Sequence, residues 1–100
     1  MSLAIQTLLR ASRESLSPVH ARNLLAAGGQ LVDVRSPADF QRNALPGAMN
    51  LPMDAISWKH RSLNRRRPVI LCGGTGVHCQ QAAQLLAGRG FSNIYHLMLN

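Results

Sequence analysis

Acidic residues are scarce in this chain. Four Asp and Glu stand against eleven Lys and Arg among 100 residues, a formal charge of +7 with a sequence pI near 11.4. The imbalance directs the protein toward anionic partners without choosing among nucleic acid, anionic lipid, an acidic protein and a small oxyanion. Aromatic residues are as few, four in all, so aliphatic side chains must build the core. The interleaved aromatics on which single strands stack are lacking, which argues against nucleic acid. There are only two cysteines, Cys72 and Cys79, too few for a disulfide framework and no zinc-ligand set, so no metal site is expected. Free thiols in a reducing cytoplasm are the simplest reading. No apolar run approaches the roughly 20 residues of a membrane-spanning helix. Residues 1–14 show neither the charged start nor the small-residue cleavage site of a secretory signal.

What is present fits one domain with a modest core, since 46% of the 100 residues are hydrophobic. Its organising stretch is Val69-Ile70-Leu71-Cys72-Gly73-Gly74-Thr75-Gly76-Val77-His78-Cys79. Four consecutive apolar residues suit a strand covered on both faces. The glycines that follow allow a tight turn whose N–H groups point inward. From His78 the spacing is helical, with Cys79, Ala82, Ala83 and Leu86 forming one apolar stripe. A thiol beside a nest of amides and a helix N-terminus is an arrangement that binds anions and favours thiolate.

Elsewhere the pattern alternates helix and strand. Residues 1–14 read as an extension with a short amphipathic helix, either packed on the domain or docking a membrane or partner. Ser17-Pro18 starts a helix that Gly28-Gly29 ends, and Gln30 to Val34 follows as a strand. Asp33 and Arg35, two apart, leave that strand on one face. Ser36-Pro37 opens a brief helix reaching about Arg42; a turn and short strand come next, then one or two helical turns over residues 53–58. Lys59, Arg61, Arg65, Arg66 and Arg67 make the densest charge, a solvated loop or a docking patch for an acidic partner. Gly88 to Gly90 stops the last helix and a strand covers residues 93–97. Such alternation predicts an α/β, mostly parallel sheet.

Three segments, taken in order and spacing, resemble the rhodanese homology domain. They are Leu31-Val32-Asp33-Val34-Arg35-Ser36-Pro37-Ala38-Asp39-Phe40, Leu45-Pro46-Gly47-Ala48-Met49-Asn50-Leu51-Pro52, and the run from Pro68 through Gly76 to Leu86. The resemblance covers residues 16–97 and sets a domain of residues 15–100 behind the extension. It implies a five-stranded sheet flanked by helices and an active-site loop after the central strand. It also implies a loop cysteine that accepts sulfane sulfur from thiosulfate or a similar small anion and passes the persulfide sulfur to a thiol acceptor. Neither metal nor organic cofactor is implied. Counted from Pro68 without a gap, the family's nucleophile position falls on Gly73; with a loop one residue longer it falls on Cys72. The longer loop also resembles phosphatases and arsenate reductases of this fold, which close it with an arginine where this chain has His78. In the family a closing helix follows the last strand, here residues 93–97; with the sequence ending at Asn100 that helix is expected to be missing, so the extension or a partner is expected to cover that sheet face.

Two functional expectations result. One is a sulfurtransferase or persulfide carrier with Cys72 as nucleophile. Gly73, Gly74, Thr75, Gly76, Val77 and His78 form its anion cradle, Asp33 and Arg35 support the loop, and Cys79 is a second thiol. The other is a noncatalytic rhodanese-homology module that binds a protein or anion through the same loop and the Arg65 to Arg67 patch. The sequence fixes no oligomeric state.

Overall fold

A computed structural model describes residues 15–97, with side-chain burial from residue 16. Five strands lie in the order β1-β5-β4-β2-β3, all parallel. They are β1 (Ser15–Leu16), β2 (Gln30–Asp33), β3 (Met49–Asn50), β4 (Val69–Cys72) and β5 (Ile94–Leu97). The outer strands β1 and β3 are two residues each, short edges that offer little backbone for further pairing. Sequence patterning gave no sign of β1, because two residues carry no periodicity. The predicted extension over residues 1–14 lies outside the described residues.

Parallel strands need crossovers, and the helices supply them. α1 (Pro18–Ala26) joins β1 to β2. Ser17 caps its start by accepting from the N–H of His20, and Gly28, at φ 101°, lets the chain turn back from its end. α2 (Pro37–Arg42) follows β2 and has no buried residue, so it caps the sheet end rather than covering a face. A 3-10 turn (Met53–Ala55), α3 (Ile56–Lys59) and a second 3-10 turn (His60–Ser62) fill the connection to β4. α4 (Gly76–Ala87) joins β4 to β5. No helix of the described residues is long and apolar enough to cross a membrane.

Alternation along β4 divides the core into two layers. Val69 and Leu71 face the larger one with Val32, Ile56, Leu63, Phe91, Ile94 and the α4 stripe of Cys79, Ala82, Ala83 and Leu86. Ile70 and Cys72 face the smaller one with Ala21, Leu31 and Leu97. Leu71, Ile70 and Leu86 are wholly buried, each worth about 1.5–3 kcal/mol of transfer free energy. Strand register sets Asp33 of β2 directly beside Cys72 of β4 at the carboxyl ends of the central strands. Ligands of open parallel sheets bind at that edge.

Candidate active-site loop

The chain leaves β4 at Cys72 through two left-handed glycines, Gly73 (φ 76°) and Gly74 (φ 68°), before Thr75 caps α4. The helix begins at Gly76, two residues before the spacing alone suggests. A reciprocal capping box explains the earlier start. The His78 N–H donates to Thr75 Oγ1 at 3.2 Å, and the Thr75 N–H donates back to His78 Nδ1 at 3.2 Å. Thr75 Oγ1 lies 3.1 Å from the same ring nitrogen. Nδ1 therefore acts as an acceptor, and the ring serves the loop's own backbone. The amides of Gly76 and Val77, in the first turn, remain the orphan donors that a helix start offers an anion.

Asp33 and Arg35 form the buttress of the loop. Asp33 is 2% exposed. Arg35 Nε reaches both its carboxylate oxygens at 3.1 Å and Arg35 Nη2 reaches Oδ2 at 2.8 Å. The same guanidinium donates from Nη1 to Asn43 Oδ1 and from Nη2 to the Asn43 carbonyl, each at 3.0 Å. Asn50 Nδ2 fastens the strand end by donating to the carbonyls of Asp33 and Arg35. Donating to the Asp33 carboxylate, whose negative charge adds to the effect, raises the Arg35 pKa above its ordinary value despite some desolvation. Almost all of this arginine's donors are thus spent inside the protein, which leaves little for a ligand. Asn43 and Asn50 are contributors that the sequence did not single out. The Asn43 contact depends on a turn bringing it back to Arg35, and no spacing rule reports that.

Cys72 is 1% exposed and turned into the smaller core layer beside Ile70. Burial pushes its thiol from an ordinary 9.0 up to about 12, helped by the charge of Asp33 and by Cys79, with Arg35 opposing. The expected acidified thiol is not found here, because the carbon-lined strand face outweighs the amides beyond it. Cys79, 2% exposed, lies in the other layer, where its Sγ–H donates to the Gly73 carbonyl at 3.4 Å. Its thiol is also raised, by burial first and Asp33 second. Both cysteines are free.

Gly73 occupies the first loop position, and a side chain has no room there. A Cβ added to it would lie 2.5 Å from Asp33 Oδ1 and 2.8 Å from Arg35 Cγ. The buttress itself fills the space. Two cavities flank the loop. The larger, about 490 Å³, opens between Ser36, Met53, Gly74 and His78 and carries both Asp39 and Asp54 on its wall. The smaller, about 270 Å³, lies between Arg35, Asn43, Leu45, Cys72 and Gly73. Thus Asp33, Arg35, Cys72, Gly73 and Gly74 meet around one recess. Thr75 and His78 cap the helix beside it, and Val77 stands 62% exposed at the rim. Among the described residues no group of His, Cys, Asp or Glu could hold a metal ion.

A parallel α/β sheet with a glycine loop leading from its central strand into a helix defines a class of domains whose sheet edge suits an anionic ligand. The signature of the Rhodanese-like domain family matches residues 17–98, and the chain belongs to that family. It is similar to the thiosulfate sulfurtransferase GlpE of Pseudomonas syringae pv. syringae, with 34% identity over 80% of this chain and 76% of the relative. The GlpE of Pseudomonas entomophila is 32% identical over 82% of this chain and 75% of its own length. Among solved structures, a rhodanese-related protein from Thermoplasma volcanium superposes with a TM-score of 0.71 at 20% identity, covering 84% of this chain and 82% of the other. A thiosulfate sulfurtransferase from Pseudomonas aeruginosa shares the fold with a TM-score of 0.78 at 23% identity, over 97% of this chain and 19% of that one.

Proposed function

We propose that this rhodanese-like domain binds a small sulfur-containing anion, free or carried on a protein, in the glycine loop, without using Cys72 as a resting nucleophile. The observation that carries this reading is the pairing of an inward, 1%-exposed Cys72 with a Gly73 position closed by Asp33 and Arg35. The Gly76 and Val77 amides and the α4 dipole supply the attraction. The carboxylates of Asp39 and Asp54 on the mouth oppose a second negative charge, so a singly charged persulfide or thiolate suits the site better than doubly charged thiosulfate. Two free thiols suit a reducing compartment such as the cytoplasm.

A second reading, sulfur transfer through Cys72, is favoured by the cavity that touches this residue and by the likeness to sulfurtransferases. In it the Cys72 thiolate attacks the outer sulfur of thiosulfate, the S–S bond breaks and sulfite leaves with the bonding pair. A thiol acceptor then removes the sulfur from the persulfide. The residues between Cys72 and Thr75 must first open to expose the thiol. Amide chemical shifts followed during titration with thiocyanate, a singly charged sulfur anion, distinguish the two. The binding reading predicts saturable shifts at Gly74, Gly76 and Val77, larger than those given by thiosulfate. Shifts spread evenly over the basic surface, with none at the loop, would overturn it.

A further inference from the structure

We propose that the end of the sheet opposite the glycine loop is a docking face for an acidic protein segment. The charges of this molecule are sorted by pole. Asp33, Asp39 and Asp54, the carboxylates of the described residues, all lie around the loop, and the ion pairs there are Arg35–Asp33 and Arg42–Asp39. At the other pole Arg61, Arg65, Arg66, Arg67 and Arg89 are exposed with no carboxylate partner among the described residues.

Part of this cluster has an internal task. Arg65 Nε donates to the Arg89 carbonyl at 2.7 Å and Arg67 Nε to the Gly28 carbonyl. Those carbonyls lie just past the C-terminal ends of α4 and α1, where positive charge is stabilising. Arg65 also lies over the buried Phe91 ring at 5.7 Å. This accounts for the position of two guanidinium groups and for none of the charge on Arg61, Arg66 and Arg89. It also has a consequence for recognition. Both anchored arginines are held through Nε, so their terminal nitrogens, which make no hydrogen bond among the described residues, are presented ready for a carboxylate. Arg67 further lines a recess of about 310 Å³ with Gln30, Met49 and Ser62.

A recess backed by a fixed guanidinium admits a flexible Asp or Glu side chain. Nucleic acid fits less well, since Phe91 is buried beneath Arg65 and offers no ring for a base to stack on. The partner is therefore a run of acidic side chains, and docking here leaves the loop free.

The test is fluorescence anisotropy of a labelled Glu-rich peptide against the full chain in low salt. The variants are Arg61→Glu/Arg66→Glu/Arg89→Glu, whose side chains make no described contact, and Arg67→Lys, which keeps the charge and loses the fork. Thermal melts establish that each variant is folded, and Arg22→Glu on α1 serves as the control. The proposal expects a loss of about tenfold or more for the triple variant and several-fold for Arg67→Lys, with Arg22→Glu within about twofold. Equal affinity of the triple variant and the parent would overturn it. So would tighter binding of an RNA of equal charge through the same arginines, which would make the face a nucleic-acid surface.

Discussion

Ellman's reagent, reacting by thiol–disulfide exchange, should find Cys72 nearly silent in the folded protein. The rise of its pKa from 9.0 to about 12 lowers the thiolate fraction at mildly alkaline pH by about 1000-fold. A more basic thiolate is a better nucleophile, and with a Brønsted coefficient of about 0.4–0.5 the same rise returns a factor of about 15–30. Ionisation alone therefore leaves the folded thiol about 30–60 times slower than the same residue in urea. The 1% exposure adds steric protection on top, so the observed ratio should exceed that range. Stopped-time labelling with mass mapping separates Cys72 from Cys79, which is buried and shifted in the same direction. Native-state labelling of Cys72 at the urea rate would refute both the inward orientation and the reasoning from burial.

The same thiol sets a pH dependence. The folded state holds the Cys72 proton more tightly than the unfolded chain. Stability is therefore complete below pH 9.0 and falls between there and about 12, at no more than about 1.4 kcal/mol per pH unit. Urea melts across the alkaline range should show this slope, reduced in Cys72→Ala and not abolished, because Cys79 contributes with the same sign. Gly73→Ala places a Cβ against Asp33 at φ 76° and should cost about 2–4 kcal/mol in a denaturant melt. Gly73→Cys should likewise be destabilised and gain no sulfur transfer in a cyanide-coupled assay, since the buttress occupies the side chain's space. Thr75→Ala removes the acceptor of the capping box and should cost about 1 kcal/mol, read as a lower melting temperature.

Much of the architecture is written in local pattern. Val69 to Cys72 is a run of apolar residues because β4 is covered on both faces, and the stripe from Cys79 to Leu86 faces the larger core layer as its spacing requires. Ser17-Pro18 and Ser36-Pro37 place two helix starts directly. The five-stranded count came from the family resemblance, since β1 is too short to leave a mark. The start of α4 at Gly76 precedes the apolar spacing because it depends on a histidine ring closing a capping box, and histidine in that role carries no sequence signal.

The grouping of the candidate residues is more legible in the sequence than their state. Asp33, Arg35, Cys72, Gly73 and Gly74 stand out in the sequence and line one recess, which Gly76 does not reach. What spacing does not report is that Arg35 turns back onto Asp33 and Asn43, closing Gly73. The direction of the thiol follows from parity, since Cys72 shares a strand face with Ile70. Its pKa does not, because that is set by burial and by a carboxylate one strand away. The roles of Arg65 and Arg67 at helix ends likewise exist only once the chain has folded.

The most direct test of the account is the intact mass of the reduced, folded protein after incubation with thiosulfate, mapped to each cysteine. The account predicts an unchanged mass, with Cys72 and Cys79 both recovered as thiols. A single sulfur atom added at Cys72, absent in Cys72→Ser, would contradict it and establish the loop as a working sulfur-accepting site.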